Sequence, residues 1–270
     1  MRILDELRSE LTLRNYSEKT QDAYIRWNER FIEYTNAATD DVTASHIKSF
    51  LSHLISNEKA SLSTVNLARS ALRFYYESVL ENSIGKISAP KPDKKLPVVL
   101  TVDEVQQLFE AAATKKSALI LKTLYSTGIR VSELCELQVN DINVDEEIGW
   151  VRGGKGSKDR MISFSTTLID KLEEFMDDHG TAFVFPGRDG SMSSRNVQSI
   201  VRRTAANAGL TKQVTPHTLR HSFATHMLDQ GNDLRLIQEL LGHENLQTTQ
   251  IYTQISSERI KAVENPLDTL

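Results

Sequence analysis

Apolar residues recur at helical spacing through the first eighty positions. Ile3, Leu4, Leu7 and Leu11 form one stripe, which Asn15-Tyr16 interrupts. A second runs from about Ser17 to Tyr34 on Tyr24, Trp27, Phe31 and Tyr34. Thr43 is placed to cap a third helix bearing Ile47, Phe50, Leu51, Leu54 and Ile55. Ser61 or Ser63 can cap a fourth, bearing Val65, Ala68, Leu72, Tyr75 and Val79. Four short helices predict a compact bundle over residues 1–82, with the aromatic residues as core rather than a base-stacking surface.

The periodicity then stops. Residues 83–100, SIGKISAPKPDKKLPVVL, hold three prolines and four lysines, which predicts an extended linker. A second domain, 101–270, opens on the capping box Thr101-Val102-Asp103-Glu104. Helices are predicted over about 102–113, 116–127 and 130–138. The β-forming stretches 148–152 and 160–164 flank a glycine-rich segment and predict a hairpin. Ala182-Phe183-Val184-Phe185 predicts a further short strand, and helical periodicity returns from 193 onward. The fold class is thus mainly α with a small β-sheet, a helical bundle followed by an α+β domain.

Composition sets outer limits. No run approaches the ~18 apolar residues of a membrane span, and the charged N-terminus does not read as a secretory signal. A single cysteine, Cys135, permits no internal disulfide and reads as a buried thiol between Leu134 and Leu137. A soluble, cytoplasmic protein is expected. The 32 Lys+Arg against 36 Asp+Glu give a net charge of −4, which by itself does not point to nucleic acid. Clustering changes that picture. Arg152, Lys155, Lys158 and Arg160 face one acid, Asp159, in the hairpin region, and Arg195, Arg202 and Arg203 share a predicted helix. Each group is either a solvated face or a DNA-contacting track.

The candidate chemistry is concentrated late in the chain. There is no Walker phosphate loop, no HExxH helix and no acidic cluster suited to two metals. His217 and Arg220 lie three apart and share a helix face. His243 follows Gly242, a residue suited to ending a helix, and Tyr252 follows Thr248-Thr249, either of which can cap a last short helix. Thr127-Gly128-Ile129-Arg130 places an arginine at a turn between helices. Arg130, Lys155, His217, Arg220 and His243 would together make a cationic pocket for a phosphodiester whose charge grows in the transition state. Neighbouring cations and a proton acceptor would make phenolate attack feasible for a tyrosine whose reference pKa is ~10. A zinc site on His217, His221, His226 and His243 is the competing arrangement, although His221 suits packing better.

The segments TGIRVSEL (127–134), GKGSKDR (154–160), TPHTLRHSFATHML (215–228) and LGHENLQTTQIYT (241–253) resemble the signature boxes of the tyrosine recombinase/integrase family, most closely its Xer branch. The N-terminal helices more weakly resemble that family's SAM-like core-binding domain. The resemblance implies roles position by position. Arg130 and Arg220 would clamp the scissile phosphate, and His217 would accept a proton or donate to the phosphate. His243 would contact the phosphate, and Lys155 would protonate the leaving 5′-oxygen, with Lys158 the alternative lysine. Tyr252 would be the nucleophile, and Glu133 a supporting acid. Lys158, Arg160, Arg195, Arg202 and Arg203 would contact DNA.

That resemblance further implies strand exchange through a 3′-phosphotyrosyl link, with no metal and no nucleotide cofactor. The working unit would be a homotetramer on two double-stranded DNA sites, clamped between the two domains. The tail 256–270, with Ile260 and Val263 on one face, would dock on a neighbouring subunit, and an accessory protein could activate the assembly. Resolution of chromosome dimers is the expected task. The rival readings are a phage- or transposon-type integrase, a type IB topoisomerase, a DNA-binding regulator without chemistry, and a metal-dependent hydrolase using the histidines.

Overall fold

The structure is a computed structural model that describes residues 2–82, 84–85, 87–88, 96–152, 159–188 and 190–242. The chain divides into two compact units, Met1–Lys94 and Lys95–Leu270. The first unit holds α1 (Arg2–Leu13), α2 (Glu18–Thr35), α3 (Ala44–Ser56) and α4 (Leu62–Arg73). Local chemistry sets their ends. Ser17 accepts from the Thr20 amide to start α2, and Asn36 in the left-handed region stops it. Thr43 and His46 form a reciprocal cap on α3, and Ser61, not Ser63, caps α4. α4 runs on into a π-helical turn, Phe74–Val79, which buries Tyr75 and Tyr76.

The predicted aromatic core is present. Phe31 is fully buried, with Phe50 edge-on at 5.4 Å and Tyr76 at 6.0 Å. Asn28 ties α2 to α4 by donating its amide to the Ala71 carbonyl at 3.2 Å. Two residues of the predicted stripes face outward instead: Tyr34 is 39% exposed and Ile55 is 40% exposed. Ile84 and Ile87, inside the stretch expected to be linker, are buried in this same core. Their apolar side chains interrupt the Pro/Lys composition, and that is why they pack.

The second unit starts at a pinned strand of chain. Leu100 is fully buried; its N–H donates to Ser222 Oγ at 2.9 Å and its carbonyl accepts from His226 Nε2 at 3.0 Å. The expected Thr101–Glu104 capping box opens α5 (Val102–Glu110), and Lys212 bridges Glu104 and the Val99 carbonyl. α6 (Lys115–Thr127) packs on α10 (Pro216–Asp229), and α7 (Val131–Glu136) packs on α9 (Ser194–Asn207). The hairpin is β2 (Ile148–Val151) against β3 (Arg160–Ser163), with Val151 opposite Arg160. A two-residue strand, β1 (Ile142–Asn143), completes an antiparallel sheet in the order β1-β2-β3. Among the described residues the architecture is therefore mainly helical with one small sheet.

Two elements depart from the sequence reading. α8 (Thr166–His179) occupies a segment for which no helix was expected. Residues 182–185 form no strand beyond one bridge, Gln138 to Phe183, because the partner is a short loop after α7 rather than another strand. α11 (Leu234–Leu241) ends the described chain with Gly242 as its left-handed cap. Cys135 is buried, as expected of a structural thiol. No helix among the described residues is long and apolar enough to cross a membrane.

Packing makes unequal demands on the α3 and α2 apolar stripes, which can be measured directly. In a Trp150→Phe background, Trp27 fluorescence reports the first unit alone during urea unfolding. Phe31→Ala should cost about 3–5 kcal/mol, since it empties a fully buried ring site. Ile55→Ala should cost about 1 kcal/mol or less, because the side chain is half in water already.

Candidate active site

The site is built where three chain segments meet the end of α11. α6 stops at Thr127, and Gly128 turns the chain with φ at +60°. An added Cβ at Gly128 would lie 2.6 Å from Phe223 Cδ1 and 2.7 Å from Leu241 Cδ2. Glycine is thus required twice there, for its backbone conformation and for the close approach of α10 and α11. Two residues later Arg130 begins α7, its own N–H donating to Glu133 Oε2 at 2.8 Å.

Three arginines converge on the last carbonyls of α11. Arg160 Nε donates to Leu240 O at 3.0 Å, Arg220 Nη2 to Leu241 O at 2.5 Å, and Arg130 Nη2 to Gly242 O at 3.1 Å. Arg220, only 4% exposed, also donates through Nη1 to Gly128 O, so it joins the ends of α6 and α11. A helix C-terminus suits this arrangement: its final carbonyls lack intrahelical donors and carry the negative end of the helix dipole.

One carboxylate balances part of that charge. Glu133 accepts from Arg160 Nη1 at 2.8 Å and Nη2 at 2.6 Å, from Arg130 Nη1 at 2.7 Å, and from the Arg130 amide. Burial pushes its carboxyl upward, but the hydrogen bonds and charge of Arg160, then those of Arg130, outweigh burial and hold it at about 2. It is therefore ionised and cannot serve as a base near neutral pH.

His217 sits one helical turn before Arg220 on α10. Burial lowers its pKa below the ordinary value, and the charges of Arg220 and Arg130 lower it further. A neutral imidazole results at pH 7, able to accept a proton. His221 is driven to about 4 by burial, then by His217 and Arg220, which fits packing rather than proton transfer. His226 has both ring nitrogens engaged, Nε2 at Leu100 O and Nδ1 at the Tyr125 hydroxyl, 2.7 Å away. That geometry leaves no free nitrogen for the zinc arrangement considered from sequence.

The structure therefore brings Arg130, Arg220, His217 and Glu133 together. Lys155, Lys158, His243 and Tyr252 lie outside the described residues. Arg195, Arg202 and Arg203 are exposed on α9. Arg160, expected to contact DNA, is placed differently: its side chain is 10% exposed and all three nitrogens are engaged within the cluster. Arg152, its neighbour in the basic run, pairs with Asp141. Sequence reasoning missed the role of Arg160 because a basic run looks the same whether its members face solvent or a buried acid. Its place at the start of a β-strand, where alternate residues face inward, was the available signal. Chemically, the cluster offers guanidinium donors beside a neutral histidine, and Arg130, with its side chain 25% exposed, is the arginine open to an anionic ligand.

Residues 98–259 match the Phage integrase family, and residues 3–86 match the Phage integrase, N-terminal SAM-like domain. Tyrosine recombinase XerA of Pyrococcus horikoshii is 39% identical over 268 residues, covering 96% of this chain and 91% of its own. Among solved structures, XerH site-specific recombinase bound to palindromic difH substrate in a post-cleavage complex superposes with a TM-score of 0.76. That match is 24% identical and covers 92% of this chain and 80% of XerH. A lambda integrase tetramer bound to a Holliday junction superposes at 0.75 and 22% identity, covering 98% and 78% of the two chains. The two structural likenesses establish the fold, while the family match over most of the second unit and the XerA relationship along nearly the whole chain establish descent. The chain belongs to the phage integrase family of tyrosine recombinases, and its relationship runs through the Xer branch.

Proposed function

We propose that the protein cuts and rejoins DNA at a specific site through Tyr252, whose oxygen forms a 3′-phosphotyrosyl link as the bond from phosphorus to the 5′-oxygen breaks, Lys155 protonating that oxygen to give a free 5′-hydroxyl. A 5′-hydroxyl from the partner strand then reverses the reaction. The phosphodiester energy is kept in the covalent link, so the reaction draws on no nucleotide cofactor, and side-chain cations supply the charge stabilisation. The observation that carries this reading is the arginine cluster at the end of α11. It leaves Arg130 open while Arg220 is buried beside a neutral His217, an arrangement suited to a phosphate that gains charge in the transition state.

In this reading His217 takes the tyrosine proton or donates to the phosphate, and His243 adds a further contact. Residues 1–82 and 101–270 each present a DNA-contacting face, joined through 83–100. Arg195, Arg202, Arg203 and Lys158 contact the backbone. Four copies on two sites perform the exchange, as supported by the tetrameric state of lambda integrase on a junction. Resolution of chromosome dimers is the task most consistent with the Xer relationship.

Covalent capture tests the chemistry. The protein is mixed with fragmented host DNA without metal, denatured in SDS, and the attached DNA is sequenced. Attachment at one recurrent sequence, abolished by Tyr252→Phe, is expected. Equal attachment at scattered sequences would favour topoisomerase action instead. Absence of attachment even to a nicked substrate that blocks rejoining would overturn the proposal.

The pH dependence follows from the lowered histidines. His217 is neutral at pH 7, so the acid limb of the cleavage-rate profile should lie below 6.5, with the rate level from there through neutral pH. Stability should fall with the same sign. The unfolded chain takes up protons near 6.5, whereas folded His221 resists until about 4, so unfolding becomes easier as pH drops through that window. Urea unfolding across the window should show a shallower acid decline for His221→Gln.

A further inference from the structure

We propose that Arg160 is a positioning residue for the strand-cleavage reaction: by neutralising Glu133 and holding the end of α11, it keeps Arg130 oriented toward the scissile phosphate. This rests on the recombinase reading above. Arg160 opens β3, yet its guanidinium reaches two other elements, donating two bonds to Glu133 on α7 and one to Leu240 O on α11. Gly242 makes room for it, since an added Cβ would lie 2.9 Å from Arg160 Cδ. With three nitrogens engaged and little exposure, Arg160 is poorly placed to meet a DNA backbone.

Its effect on Arg130 follows from charge. Arg130 gives Nη1 to Glu133 and Nη2 to Gly242 O. Without Arg160, the buried carboxylate would face Arg130 as its remaining partner among the described residues, and attraction in a low-dielectric site is strong. The favoured response is a two-pronged Arg130–Glu133 pair, which rotates the guanidinium off Gly242 and away from the phosphate. A lysine at 160 retains the charge but cannot donate in three directions from one plane.

The test separates positioning from DNA contact. Wild type, Arg160→Met, Arg160→Lys, Glu133→Gln and the Arg160→Met/Glu133→Gln pair are assayed on a nicked duplex carrying the captured sequence. Covalent-complex formation and the salt dependence of DNA binding are measured in parallel. Arg160→Met should cleave about a hundredfold more slowly, the usual scale for a misplaced reacting geometry. Its binding affinity and salt slope should match wild type, with Arg160→Lys intermediate in rate. Glu133→Gln should restore at least about tenfold in the pair, since the uncompensated carboxylate is gone.

A salt slope reduced by about one, with no rescue in the pair, would make Arg160 a phosphate contact and overturn the proposal. Wild-type cleavage by Arg160→Met would overturn it equally. If Arg160→Met lacks a cooperative thermal transition, Arg160→Lys is judged by the same rate and salt criteria. Should the wild type itself fail to cleave, the recombinase reading falls, and NMR without DNA decides the positioning claim. The Arg130 Nε–H resonance should then shift in the Arg160 variant and return in the pair; an unmoved resonance would end the claim.

Discussion

The end of α11 is the constraint on which this site depends. Three successive carbonyls, of Leu240, Leu241 and Gly242, each receive a different arginine, from β3, α10 and the start of α7. Like charges gather there because the helix terminus supplies unpaired acceptors and a partial negative charge, and because Glu133 is buried among them. Three cations against one carboxylate leave a formal excess of two positive charges. That residual charge is what an anionic backbone would meet.

Two glycines allow this convergence. Gly128 ends α6 in a conformation other residues rarely adopt, and it lets Phe223 and Leu241 approach to contact distance. Gly242 does the same for the stem of Arg160. α10 supplies the rigid background. Leu219, Arg220, Ser222, Phe223, Ala224 and Thr225 are nearly consecutive and all buried, so this helix is covered on most sides. The backbone of Leu100 is fastened to it at both N–H and carbonyl, which ties the entry of the second unit to the helix bearing His217 and Arg220.

Burial therefore does two things to the titrating groups. It joins the charges of Arg220 and Arg130 in lowering the pKa of His217, and it raises that of Glu133, where the hydrogen bonds and charge of Arg160 and Arg130 outweigh it. Arg130, the cation common to both, lowers both pKa values, which favours the charged form of the acid and the neutral form of the base.

The sequence alone determined the helices of the bundle, the caps at Thr43 and Thr101, the hairpin, and the residue types of a phosphate-handling site. These are local properties: a cap needs a side chain three residues from an amide, and a helix stripe needs only spacing. It misjudged which partly apolar positions face water, as at Ile55, and where the first core ends, since Ile84 and Ile87 join it from within a Pro/Lys-rich stretch. It overlooked α8 and expected a strand where Phe183 makes a single bridge. Only the tertiary structure could decide the fate of Arg160. Its partners, Glu133 and Leu240, lie 27 residues before it and 80 residues after it in the chain. Whether a cation faces solvent or a buried acid depends on contacts across that distance, and no local pattern records them.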